Sequence, residues 1–166
     1  QDLYLYAVES KVRLKDFDLL GFSLQYELAY PTVLAMMNMA DIPVKNADRT
    51  EDDPIILSGG PCAFNPEPMK EFIDGFLIGD GEDILKELVE TYKVAKKQGK
   101  TRKEIIELLA EIDGLYVPAL HKGKKINKRI YDFSSDSVPR KHPVPFSTSI
   151  HDRAVTEIRR GCGRMC

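Results

Sequence analysis

Cys162 and Cys166 stand four residues apart in Gly161-Cys162-Gly163-Arg164-Met165-Cys166. Thiols at that spacing can serve one face of a helix, a zinc loop or an iron–sulfur loop. The preceding run Ala154-Val155-Thr156-Glu157-Ile158 reads as a strand, which places both thiols on a loop at a strand's C-terminal end. Glycine in such a loop lets the backbone approach an inorganic cluster closely. Arg159, Arg160 and Arg164 bring positive charge to the same loop, which favours the thiolate forms that bind metal.

A second set of candidates lies upstream in glycine turns: Ser23, Gly59, Gly60, Gly79 and Gly81. Each is expected where a strand ends. In an open parallel sheet ligands collect outside that edge, because turns there expose backbone N–H groups and helix N-termini favour anions. The plainer alternative is that these glycines only make tight turns. Glu82 and Asp83 then complement the dipole of the helix they begin. Cys62, in the second of these turns, is expected to be a small buried apolar residue, with an adventitious third ligand as the alternative. Met36, Met37 and Met39 have the spacing of core filling.

The elements that would hold these residues are an alternation of strands and helices. Leu19–Leu24 is a buried strand followed by a helix over Tyr30–Met39, with Pro31 in its first turn and Ile42-Pro43 at its end. Ile55-Ile56-Leu57 is a second strand, followed by a short helix over 66–73 with Asn65 as N-cap. Phe76-Leu77-Ile78 is a third, followed by a helix that places Ile84, Leu85, Leu88, Val89 and Tyr92 on one face and ends at Gly99. Thr101 and Glu104 have capping-box spacing for another helix. Such repetition predicts an α/β fold with a parallel sheet. Beyond Gly114, Leu115–Pro118 and Lys125–Tyr131 are expected to pair as a β-hairpin around Lys122-Gly123, and the Ser- and Pro-rich stretch after Ser134 reads as a linker. The expected domains are therefore 1–113, an α/β domain; 114–150, hairpin and linker; and 151–166, the start of another domain.

The 166 residues suit one domain with a short extension. Lys and Arg total 24 against 26 Asp and Glu, so the basic excess of a nucleic-acid surface is missing. No apolar run has the length of a membrane helix. The default location is the cytoplasm, where a close Cys pair serves metal or redox chemistry more often than a disulfide. Gln1 is not an initiator Met and the chain stops inside a motif, so a piece of a longer protein is expected.

A strand ending in Gly-Cys-x-x-x-Cys resembles the opening of the C-x-x-x-C-x-x-C loop of the radical SAM (S-adenosylmethionine) superfamily. Gly59-Gly60-Pro61 with Pro66-Glu67, and Ile78-Gly79-Asp80-Gly81-Glu82, are similar to loops of the cobalamin-binding-like, Rossmann-like domains that precede many radical SAM barrels. Longer words, Leu20–Leu28 and Gly59–Pro68, resemble an uncharacterised bacterial subgroup of "Fe-S oxidoreductase" proteins. The resemblance implies that Cys162 and Cys166 are the first two of three ligands to a [4Fe–4S] cluster, that SAM completes the site, and that residues 151–166 open a barrel. It implies as partners the rest of that barrel and a flavodoxin- or ferredoxin-type electron donor. The parent would cleave SAM to a 5′-deoxyadenosyl radical, while this piece, one ligand short and with no catalytic residue assigned in it, is expected to be inactive. Cobalamin is implied less directly. The family's Asp-x-His-x-x-Gly motif is missing, and His121, His142 and His151 read as surface or linker histidines, so a corrinoid would bind base-off or not at all. The alternative reading is a non-catalytic ligand-binding or interaction module with a zinc-binding or flexible Cys tail.

Overall fold

The computed structural model describes residues 4–132 together with Glu157, Arg160 and Gly161. The chain divides into two compact units, Gln1–Ser134 and Ser135–Cys166. The first is an α/β sandwich around four strands, β1 (Leu19–Ser23), β2 (Ile55–Gly59), β3 (Gly75–Leu77) and β4 (Leu115–Tyr116), in the order β1-β2-β3-β4. The first three are parallel and β4 is antiparallel to β3. This is the Rossmann-like architecture anticipated from the alternation of elements.

Strand β2 is buried along most of its length, as a central parallel strand must be when both sheet faces are covered. Its side chains alternate between two cores. Ile56 packs with Leu24, Val33, Met37, Met69 and Phe76 beneath helix α1 (Tyr30–Met39). Ile55 and Leu57 pack instead with Ile84, Leu88, Ile105 and Leu109 from helices α2 (Gly81–Lys97) and α3 (Arg102–Ala110). Of the methionines on α1, Met37 is core filling at 1% exposure, whereas Met39 is exposed.

Helix ends follow local chemistry. Helix α1 stops before Ile42-Pro43, because Asp41 takes a left-handed conformation (φ 55) and the Ile42 N–H reaches back to the Met37 carbonyl at 3.0 Å, a Schellman closure. Gly99 (φ 69) closes α2 in the same way, with Lys100 N–H on the Ala95 carbonyl. Helix α3 opens with the expected capping box: Thr101 Oγ1 accepts from Glu104 N–H at 3.3 Å, and Glu104 Oε2 accepts from Thr101 N–H at 2.9 Å. The Glu104 carboxyl is held below its ordinary value by the Thr101 N–H and then by the Thr101 hydroxyl. Thr101→Ala is expected to lower stability by ~1 kcal/mol, read as a lower urea midpoint at unchanged slope. A depressed carboxyl contributes fully above the ordinary carboxylate range, and its contribution is lost as pH falls through the folded value. The gap between wild type and variant should therefore narrow below about pH 4; a gap that stays constant on acidification would count against the box.

Two expected elements take other forms. The segment over 66–73 is not an α-helix but holds one short 3-10 turn, Glu67–Met69, with a separate turn, Pro61–Phe64, ahead of it. Pro68 disfavours helical backbone at Glu67 before it and about two turns of chain are too short to repay helix nucleation, while Asn65 is the C-cap of Pro61–Phe64 and Pro66 takes the N-cap place of Glu67–Met69. The hairpin after Gly114 does not form either. Leu115 and Tyr116 pair with Leu77 and Phe76 of β3, the chain then turns at Val117, whose carbonyl accepts from Leu120 and His121 N–H groups, and the later segment bridges Gly79 through Arg129. A place beside a buried sheet strand offers more apolar contact than an isolated two-stranded ribbon.

Candidate functional site

Ser23 and Gly59 are register partners at the C-terminal ends of β1 and β2. They open onto a groove of about 370 Å³ between the sheet and α2, with Gly60 at its mouth. Leu57, Leu77, Leu88 and Val89 form its walls and Gly21 part of its floor. A Cβ placed at Gly21 would meet nothing within 4 Å, so the absence of a side chain there leaves the floor open. No charged side chain lines the groove. Its side-chain polarity comes from serines at its strand ends, and the Ser23 Oγ accepts from Gln25 Nε2 at 2.6 Å. Such a slot suits a flat apolar group with a polar margin better than a phosphate.

Of the five turn residues singled out in the sequence, the fold brings Ser23, Gly59 and Gly60 together here and leaves Gly79 and Gly81 outside the groove. Gly60 has φ 91, and a Cβ would lie 2.9 Å from the Leu24 carbonyl oxygen. Gly79 has φ 114, and its Cβ would lie 2.0 Å from the Arg129 carbonyl oxygen. The protein's own chain fills that turn: Arg129 N–H donates to the Ile78 carbonyl, Asp80 N–H donates to the Arg129 carbonyl, and Tyr131 N–H donates to Asp80 Oδ2. Gly81 is the exposed first residue of α2, with Glu82 and Asp83 behind it in the first turn.

Cys162 and Cys166, like His142 and His151, lie outside the described residues. In the second unit Arg160 pairs with Glu157 through Nε at 2.5 Å and Nη2 at 2.9 Å, so a carboxylate also bears on the charge of that arginine. Cys62 is half-buried against the α1 core. Burial, and next the Cys62 thiol, push the Tyr30 phenol above its ordinary value. His121 is not a surface residue: it is 9% exposed, stacks on Tyr116 at 6.0 Å, and its Nδ1 accepts from Val117 N–H at 3.0 Å. Since β4 runs antiparallel to β3, Val117 and His121 lie toward the N-terminal end of the parallel strands, away from the groove mouth. Among the described residues no three His, Cys, Asp or Glu side chains converge as metal ligands, and no helix is long and apolar enough to cross a membrane.

The sequence reading missed a charged cluster at that N-terminal end. Asp74 Oδ2 accepts from Arg49 Nη1 at 2.9 Å, Arg102 Nη2 at 2.7 Å and Ile56 N–H at 2.7 Å. Burial lowers the Arg49 guanidinium from its ordinary value, Asp74 works against that shift, and Arg102 adds to it. Nothing local signals the cluster, because its members are drawn from 25 and 28 residues away.

The family described as radical SAM proteins, N-terminal, matches residues 1–118. An uncharacterised protein of Methanocaldococcus jannaschii is 28% identical over 167 residues, which cover 98% of this chain and 32% of that protein. The chain thus spans about a third of the length of this curated relative. No solved structure matches.

Proposed function

Because this chain belongs to the family of radical SAM N-terminal domains, we propose that it is the accessory domain of a radical SAM iron–sulfur enzyme, with residues 151–166 opening the barrel. The family match carries this reading, and the Cys162-x-x-x-Cys166 spacing supports it independently. Two thiols four residues apart in a glycine-containing sequence are a donor set that suits iron. Cys162 and Cys166 would hold two irons of a [4Fe–4S] cluster, with a third cysteine supplied by the chain beyond Cys166. When bound, such a cluster supplies the electron that cleaves SAM to a 5′-deoxyadenosyl radical. The protein's own part is to hold the reactants and exclude water, and the α/β unit offers a scaffold for that. An electron donor of flavodoxin or ferredoxin type is the partner this chemistry requires.

Within the same reading the groove at Ser23, Gly59 and Gly60 is the ligand-holding part of the domain. Its apolar walls and open floor fit a flat heterocyclic tail such as that of a corrinoid. No described histidine is placed to ligate cobalt: His121 is engaged with Val117 toward the other end of the sheet. A corrinoid whose tail lay there would be base-off.

Anaerobic reconstitution of the full-length protein with iron and sulfide tests the proposal. Wild type should hold about four irons and cleave SAM under dithionite, and Cys162→Ser or Cys166→Ser should abolish both. A protein that takes up zinc and no iron, and leaves SAM intact, would sink the radical reading in favour of a non-catalytic module with a metal-binding tail. For the groove, cobalamin is titrated and followed by visible absorbance. Unchanged spectra at high micromolar ligand would remove the corrinoid.

A further inference from the structure

At the N-terminal end of the parallel strands lies a cavity of about 670 Å³, within the range of small-molecule sites. Its floor is the Arg49–Asp74–Arg102 cluster, and one wall is formed by Ile106 on α3 with Val117 and Leu120 from the turn after β4. It is separate from the groove at Ser23 and Gly59, because Asp74 precedes β3 and Arg102 Nη2 also donates to the Pro54 carbonyl, ahead of β2.

The two arginines of the floor differ. Arg49 is fully enclosed, and its Nε, Nη1 and Nη2 all donate, to Pro43 O, Asp74 Oδ2, and the Val44 and Phe72 carbonyls. It is structural. The Arg102 side chain, 11% exposed, makes its bonds through Nη2 alone, and its Nε is buried with no hydrogen-bond partner. Two guanidinium groups share a single Asp74 oxygen, and Asp53 also acts on Arg49, so the positive charge left for a ligand is that of Arg102. Nε itself is sealed from solvent, so the nitrogen an incoming anion would bond is Nη1, which makes no hydrogen bond and is not buried. The rim limits the charge of that anion. Glu51 Oε2 already accepts from the Arg102 backbone N–H at 2.6 Å, and Glu107 lies 3.9 Å from Lys103, so a dianion would face two carboxylates. The wall is apolar, with Leu120 41% exposed.

We propose that this cavity binds a small organic monocarboxylate, its head on Arg102 and its apolar body on Ile106, Val117 and Leu120. The site is independent of the cysteine motif and of the groove.

Octanoate is the probe, titrated into the methyl-labelled chain and followed by NMR, with 1-octanol and inorganic phosphate as parallel arms. Octanoate should move the methyl signals of Ile106, Val117 and Leu120 saturably. Octanol should bind at least about tenfold more weakly, the factor that one lost charge-assisted contact brings, and phosphate should shift nothing. Arg102→Gln should weaken octanoate by a similar factor. Because that variant also disturbs Asp74, Ala119→Trp serves as the second. Ala119 is exposed on the cavity lining and outside the charged cluster, so a folded Ala119→Trp protein should lose octanoate binding. Methyl signals that stay still, equal binding of octanol, competition by phosphate, or undiminished binding to Ala119→Trp would each overturn the proposal.

Discussion

Asp74→Ala is expected to destabilise the first unit by roughly 3–5 kcal/mol, the range for breaking a buried ion pair by removing one partner. The Asp74 side chain is 5% exposed and the Arg49 side chain 0%. Removing the carboxylate strands one guanidinium wholly inside the protein and a second mostly so, and it orphans the Ile56 N–H at the start of β2. Against a typical total stability of about 5–15 kcal/mol, the variant should be close to its folding threshold at ordinary temperature. Urea unfolding followed by circular dichroism reads the loss as a shift in midpoint. Adding Arg102→Leu should recover part of it, since taking away both members of a buried pair is milder than taking away one. A loss under about 1 kcal/mol for Asp74→Ala, the value of an exposed pair, would show that water reaches the cluster freely.

That cluster marks where sequence reading reaches its limit. Strands β1, β2 and β3 and helices α1, α2 and α3 were legible because their signals are local: apolar runs for buried strands, apolar residues at 3.6 spacing for α2, and a Thr101/Glu104 pair whose chemistry operates over three residues. The ends of elements were less legible. Asp41 in a left-handed conformation closes α1, although only glycine advertises that conformation in a sequence. The expected helix over 66–73 failed because Pro68, which looks like a helix-start signal, restricts Glu67 before it in a segment too short to repay nucleation. The hairpin failed because pairing partners are a competition, and β3 presented Leu115 with a better one than residues 125–131 did.

The candidate site divides along the same line. Gly59-Gly60 and Ser23 were legible as turn residues at strand ends, and the register of β1 on β2 brings them to one groove. What the groove would accept was not legible, because its apolar character comes from Leu77, Leu88 and Val89, elements distant in sequence. The Arg102 cavity left no trace at all, since its floor and wall combine four separate segments of chain.

Gly79 separates turn chemistry from ligand chemistry most sharply, and Gly79→Ala is expected to free the segment around Arg129 from the sheet. A side chain at φ 114 is strained whatever surrounds it, at a cost of about 1–2 kcal/mol by comparison with left-handed backbone generally. Here the Cβ also runs into the Arg129 carbonyl at 2.0 Å. The contact is with backbone, so no rotamer change relieves it, and the crossing segment has to move. Three hydrogen bonds leave with it: Arg129 N–H to Ile78, Asp80 N–H to Arg129, and Tyr131 N–H to Asp80. At about 0.5–1.5 kcal/mol each, their loss should exceed the backbone strain. Gly99→Ala is the internal control, because Gly99 also has positive φ (69) but nothing within 4 Å of the added Cβ. Urea midpoints of the two variants should differ in favour of Gly99→Ala, and hydrogen exchange at the Arg129 and Tyr131 amides should quicken only in Gly79→Ala. Equal midpoints with those amides still protected would mean that Gly79 is present for its φ alone, which would leave its turn free for a ligand after all.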